Sequence, residues 1–378
     1  MLGGMEAESS PLESLLRRAL EASVLDSLEA ALATGRYERA LLLSDAIPQA
    51  ALPDGVTLEL DRERFQFGRR LAGAVAEHGI ERLLYLGGGS APLLGAEEFE
   101  ALADGVVGDT PVCVTNNFFS ADLFALAPAA LLGRLDPPPA SDNSVPRRLR
   151  EDCAVPVREL PRTVATQLNI DSPVDLAALA LSGRAGPRLA TVLAEWGPDR
   201  TRLAQAAMTF TDRNAEVLVA GRVSSRAWQY LERETACRVR VFAEERGMAA
   251  AGRDLDGSAR SLLGQMLSAV GAPRFFAQLL PELCDAAFVD TRPLLVQLGL
   301  TPSRADRFAA DLGLASEVQD AALRELVEAS LDAPVPVIFG GHSLVAGVLM
   351  LLNDWAWAEH DRAADSSLPA LGKGVSSA

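Results

Sequence analysis

Lysine is nearly missing: the only one among 378 residues is Lys373, in a Gly/Ser-containing tail. That excludes chemistry needing a core lysine, such as a P-loop Gly-Lys-Ser/Thr, a kinase-type strand lysine or a Schiff base. Histidine is scarce too, with His78, His342 and His360 only, so no His-rich zinc cluster can be assembled. The four cysteines (Cys113, Cys153, Cys237, Cys284) are far apart and form no Cys-x-x-Cys. They read as small buried hydrophobes in a reducing compartment. No apolar run reaches the ~18 residues of a membrane span. The longest, 336–352, is broken by Gly340, Gly341, His342 and Ser343. Residues 1–11 are acidic and lack a basic-then-apolar leader. A soluble cytoplasmic protein is the expectation, with no membrane partner.

Charge of one sign is also short. Against 51 acidic residues stand 35 basic ones, for a formal charge of −16. A nucleic-acid role is disfavoured, and an anionic ligand must be met locally by arginines, backbone amides or a divalent ion. What is plentiful is apolar sequence, 49% of the chain, enough for two or three domains with real cores.

Leu12, Leu15, Leu16, Ala19, Leu28 and Leu32 recur at helical spacing behind Ser9-Ser10-Pro11. Residues 1–37 therefore predict an amphipathic lead-in helix, with a break near Ser23, packed on the body or on a second subunit; a homodimer is one expectation. From residue 40 short apolar runs alternate with helices. Strands are predicted at 40–43, 56–60, 82–86, 112–115, 122–126 and 155–160, helices at 67–78, at 97–102 and after Pro128, and a loop at 136–143. Such alternation argues an α/β layered domain over 38–185 with a largely parallel sheet. Residues 186–362 predict a mostly helical C-terminal domain with one strand, 216–220, and a long helix from Arg226 that carries charges to Arg246. Residues 363–378 read as a flexible tail.

Three segments of the first domain carry candidate chemistry. Leu84-Tyr-Leu-Gly-Gly-Gly-Ser-Ala-Pro-Leu-Leu94 empties a strand into Gly87, Gly88, Gly89 and Ser90. Glycines let backbone approach a ligand, and successive amides can cradle phosphate. Asn116 and Asn117, at the next strand end, can read a base or sugar edge, or simply form a turn. Asp122 could hold a divalent ion. In Asn169-Ile-Asp-Ser-Pro-Val-Asp-Leu176, Ser172 and Pro173 are helix-start residues, whereas Asn169 and Asp171 share one side of an extended segment and offer oxygens suited to magnesium.

This last segment resembles the Asp-Ile-Asp-Thr-Pro-Glu-Asp-Leu ending of the GT-A-type nucleotidyltransferases, a superfamily that includes the molybdopterin and phospholactate guanylyltransferases. Residues 89–102 look like its central Gly-Asp-x-Pro-Leu-Leu strand end and helix, and the resemblance spans roughly 39–181. It implies a Rossmann-like, three-layer GT-A-type domain. It also implies Mg2+-dependent transfer of a nucleotidyl group from a nucleoside triphosphate to a phosphorylated or sugar-like acceptor, with release of pyrophosphate. On that reading Gly87, Gly88, Gly89, Ser90, Asn116 and Asn117 bind the nucleotide. Asp122, Asn169 and Asp171 hold the metal, and Asp171 and Arg162 act in catalysis. The chain departs from the pattern in three places. Residues 41–49 lack the opening Gly-rich loop with its Arg and Lys, Ser90 replaces the central Asp, and Asn169 replaces the first Asp of the ending.

Two other readings stay open. One is a catalytically degenerate nucleotide- or metabolite-binding regulator or scaffold of the same fold. The other puts the site in the second half, around Arg222, Arg246 and His342, with Gly221-Arg-Val-Ser-Ser225 as an anion-binding helix start. Asp290, Arg292, Asp306, Arg307 and Asp311 could supply ion pairs there.

Overall fold

The computed structural model describes residues 10–61 and 65–367. The first element is the unbroken helix Pro11–Ala33. The Ser10 hydroxyl accepts from Glu13 N at 3.3 Å, and Pro11 occupies the first turn, where its missing N–H costs nothing. Leu16, Leu25 and the small polar Ser23 are all buried, so no break occurs at 23. Asp26 reaches across to accept from the backbone of Arg188 (3.1 Å) and Leu189 (3.0 Å), capping the helix Pro187–Trp196 from outside. A side chain on Gly186 would collide with Asp26. The lead-in helix is thus packed on the body of its own chain.

The strands form three sheets. β1 (Ala40–Ser44) and β2 (Val56–Leu60) pair in parallel as a two-stranded unit. β3 (Leu83–Leu86), β4 (Val112–Thr115), β5 (Leu123–Ala127) and β6 (Val157–Glu159) form a sheet ordered β3-β5-β4-β6. Two of its three pairings, β3/β5 and β4/β5, are antiparallel, so this sheet is mixed where a largely parallel one was expected. In β5, Leu123, Ala125 and Ala127 face one apolar cluster while Phe124 and Leu126 face another. This period-two division buries both faces of the sheet.

The second half is built round a parallel sheet that the sequence reading largely missed. β7 (Glu216–Gly221), β8 (Arg238–Ala243), β9 (Ala286–Asp290) and β10 (Val337–Gly340) lie in the order β10-β9-β7-β8, all parallel. Helix is still the commoner element there. The predicted long helix after Arg226 ends instead at Glu234, as Ser225–Glu234, and the chain re-enters the sheet as β8.

One large core joins Leu16 and Leu25 of the first helix to Leu176 and Leu179 of the helix Pro173–Ser182, and to Phe210, Phe288 and Leu351. The expected boundary at 185 therefore falls inside a continuous apolar interior. Residues 363–367 continue the last helix, Leu349–Ser367; the rest of the expected tail, with Lys373, lies outside the described residues, as do residues 1–9. Cys113, Cys237 and Cys284 are buried, Cys153 is half-buried, and none is disulfide-bonded. Among the described residues no helix is long and apolar enough to cross a membrane.

Candidate functional site

The carboxyl ends of β7, β9 and β10 converge, which is where open α/β sheets place ligands. Asp290 closes β9 and is fully buried. It accepts a two-pronged grip from Arg222, just past β7: Nε to Oδ2 at 2.6 Å and Nη2 to Oδ1 at 3.1 Å, with the backbone N of Arg222 adding a third bond. Burial is the largest single influence and raises the Asp290 carboxyl, but the charge and hydrogen bonds of Arg222, with Arg292 and His342, together outweigh it and hold the group below its ordinary range. Arg292 grips buried Asp311 in the same way, at 3.1 and 2.7 Å, and also donates to the Thr291 hydroxyl. Such forks fix a guanidinium in one orientation. His342 follows Gly340-Gly341 at the end of β10 and faces solvent. Surrounding protein and the Arg222 charge push its imidazole below the ordinary value, against the pull of Asp290 and Asp171, so it is neutral at pH 7.

Asp171 arrives from the first half. It keeps an exposed face, yet the surrounding protein desolvates its carboxyl and raises its pKa. His342, Arg222 and Arg292 pull that value down, and Asp290 pushes it up, so all four lie within electrostatic reach. Asp171 is therefore an exposed carboxyl within electrostatic reach of charged groups from the second half. Below it, Asp175 serves the start of the helix Pro173–Ser182: Oδ2 accepts from the backbones of Asp171 and Ser172, both at 2.8 Å. Its Oδ1 is buried with no partner, and burial raises the group well above its ordinary value.

Asp122 is the link to the first sheet. Burial raises its carboxyl from 3.8 to about 7; Asp171 and Asp142 add to this, while the amides of Asn169 and Asn116 oppose it. Asn169 Oδ1 is buried and unpartnered, and its backbone oxygen accepts from Ser343 Oγ at 2.5 Å, tying the two halves together. The two regions read as alternatives from the sequence are thus linked through Asp171. It acts on Asp122, and it lies within electrostatic reach of Arg222 and His342, while Arg246 acts on the His342 imidazole.

Other expected residues do different work. The glycine bend packs on the backbone at 168–170: Ile170 N donates to Gly89 O at 2.8 Å, Ala91 N to Leu168 O at 2.9 Å, and a side chain on Gly89 would strike Ile170 O. Gly88 and Gly89 form the turn itself. The amides of Gly87 and Ser90 bond to Asp122 O and Gly87 O, and the Ser90 hydroxyl also bonds to Gly87 O, so they form no phosphate cradle. Asn116 is saturated: its Nδ2 donates to Asp122 and Thr166, and its Oδ1 accepts from the amides of Asp122 and Leu123. Asn117 closes a turn through the amides of Phe119 and Ser120. Neither asparagine has a free amide edge of the kind base reading needs. Arg162 pairs with Glu159 at 2.7 Å in a neighbouring cleft.

Sequence reasoning missed Asp142, whose carboxyl lies beside Gly87 and accepts from Tyr85 at 3.0 Å, and it missed Asp175 as a site group. Asp290 and Arg292 were noted only as ion-pair formers. Their signal was a charged pair directly after the apolar run Ala286-Ala-Phe-Val289. A separate trio, Glu59, Glu77 and His78, sets ligand atoms within 4.8 Å of one another, but Glu59 is already bonded to His78 and to Arg70. No protein-family model matches the chain, and comparison with curated proteins finds no match, so the site must be read from its own chemistry.

Proposed function

We propose that the chain is a nucleotidyltransferase-like enzyme working at the Asp171 cleft. It would move a nucleotidyl group from a nucleoside triphosphate to a phosphorylated or sugar-like acceptor and release pyrophosphate. The observation that carries this reading is the setting of Asp171: a solvent-facing carboxylate, backed by Asp122 and Asn169, opposite two guanidiniums and a neutral imidazole. The motif at 169–176 supplies the reaction class.

Asp122, Asn169 and Asp171 offer only oxygens, one of them the orphaned Asn169 carbonyl, and this hard donor set fits magnesium. Bound there, the ion would supply the charge that lets a triphosphate approach Asp122, Asp142 and Asp171. Arg222 and Arg292 are locked by their carboxylates, so their positive field is in place before the transition state forms. His342, neutral at pH 7, can accept the proton of an acceptor hydroxyl as its oxygen bonds to the α-phosphorus and the bond to pyrophosphate breaks. A sheet covered on both faces, with 87–90 brought against 168–170, is compatible with an α/β layered domain.

The test is magnesium-dependent pyrophosphate release across the nucleoside triphosphates, with and without candidate acceptors. Asp171→Ala should lower the rate at least ~100-fold without unfolding the chain, the order of loss seen when a positioned catalytic group is removed. A second reading, ligand binding without turnover, draws support from the committed Ser90 and Asn116 groups. Triphosphate binding with no pyrophosphate release by the wild type would decide for it.

A further inference from the structure

A second cleft, about 600 Å³, opens between the loop 159–167 and the helix Ser225–Glu234. That is the size of a small-metabolite site. Its walls come from segments that also carry the groups around Asp171. Gln167 is two residues before Asn169, and Ser224 is two residues after Arg222. Ala346 lies in the kinked segment whose Ser343 holds the Asn169 carbonyl.

Arg162, Arg226 and Arg233 line this cleft, against Glu159 and Glu234. A net positive lining runs against a chain that carries −16 overall. The arginines also differ from those elsewhere on the surface. Arg147, Arg148 and Arg362 are matched by carboxylates three or four residues away on their own helices. Arg226 has no acidic residue at three or four positions in either direction, and neither has Arg233. Among the described residues, Arg226 hydrogen-bonds only to the Gln229 amide oxygen, at 3.3 Å, and Arg233 makes no ion pair or hydrogen bond. Seven residues apart, the two share one face of the helix about 10 Å from each other along its axis. Both are exposed, so their charges are unspent. Arg162, paired with Glu159, lines the opposite wall. Guanidiniums lining a concavity from two walls suit a phosphate, which can accept N–H donors from both.

We propose that this cleft binds the phosphate-bearing part of a small molecule, gripped by Arg226 and Arg233 with Arg162 opposite, while the remainder extends to Asp171. This rests on the transferase reading to the extent that the molecule is its acceptor. A phosphate held here is a handle: it orients the acceptor from a distance and takes no part in bond making. The Arg162 role is thereby changed from acting on the transferred phosphorus to holding the acceptor.

Calorimetric titration of the full chain with pyrophosphate, in EDTA to keep divalent ions out of the Asp171 cleft, tests the assignment. Wild type should bind. The exposed-site double variant Arg226→Glu/Arg233→Glu should bind at least ~10-fold more weakly, as for loss of charge-assisted contacts. Asp171→Ala should bind as wild type does. Circular dichroism on each variant controls for folding, and Arg226→Gln/Arg233→Gln gives a second pair without charge reversal. No binding by wild type overturns the proposal. So does binding that survives both double variants, or that is lost with Asp171→Ala. Binding with the expected dependence, in a chain that turns over no triphosphate, supports the cleft and retires the transferase reading alone.

Discussion

Asp122 illustrates how one residue's chemistry depends on where the chain buries it. Its carboxyl titrates at about 7 in the folded protein against 3.8 when unperturbed, because burial penalises the charged form. Between those values the folded chain holds a proton that the unfolded chain has released. Stability contributed by this group is therefore full below about pH 4, falls as pH rises through 7, and levels off above. In EDTA, urea unfolding at pH 5 and pH 8 should show wild type losing roughly 2–4 kcal/mol more over that interval than Asp122→Asn does. Equal losses in the two proteins would refute the buried-acid account. Sequence reading picked out Asn169 and Asp171 because they share one side of an extended segment, and Asp122 as a carboxylate able to hold a divalent ion. It could not see that Asn116 is saturated, because that depends on which amides of the 122–123 segment come within 3.4 Å of it.

The elements show what periodicity reveals and what hides it. Most strands of the first half were legible as short apolar runs between turn residues, whereas the helix Val145–Cys153 was not foreseen and the helix expected after Pro128 is a 3-10 turn, Ala129–Arg134. β8 was not legible either, although Arg238-Val-Arg-Val-Phe242 alternates with period two. Its arginines fall at spacings that also suit a charged helix face, and the longer pattern from Arg226 covered the shorter one. In the fold they are pinned by Glu216 on β7, at 3.0 and 3.2 Å, so the charges belong to a strand pair. A second hidden element is the kinked segment Leu344–Val348, where Ala346 leaves helical geometry. Gly347 permits it: a side-chain carbon there would sit 2.4 Å from Gln167 O and from Leu168 Cα, backbone atoms with nowhere to go. Gly347→Ala should cost about 2 kcal/mol or more in chemical denaturation and loosen the Ser343–Asn169 bond, lowering any turnover in parallel. Gly341→Ala is the control for stability, since its nearest neighbour is Arg292 Nη2 at 3.8 Å, an ordinary contact. A Gly347→Ala protein as stable as wild type would show that the seam between the halves is softer than its packing implies.

At the scale of the molecule, the division read from the sequence followed a change in composition, whereas the interior follows contact. Helix Pro173–Ser182 belongs by sequence to the first half, but Leu176, Ala178 and Leu179 are fully buried in the core that also holds Val219 and Phe288 of the second sheet. The first helix is in that core as well. The placement of Asp171 is a consequence. The same short stretch delivers Asp171 to the site and anchors the following helix in the other half, so the carboxylate cannot be positioned by the first sheet alone. A fragment of residues 38–185 would expose those side chains, each apolar one worth about 1.5–3 kcal/mol of lost burial when large. It should bind a hydrophobic dye and lack a sharp thermal transition, while the full chain melts without exposing such a surface beforehand. It should also fail to bind any nucleoside triphosphate that the full chain binds, because Arg222, Arg292 and His342 are missing from the cleft. A fragment that melts cooperatively and retains triphosphate affinity would show that the first sheet builds the site unaided. In that case the guanidiniums opposite Asp171 would be neighbours of the chemistry rather than part of it.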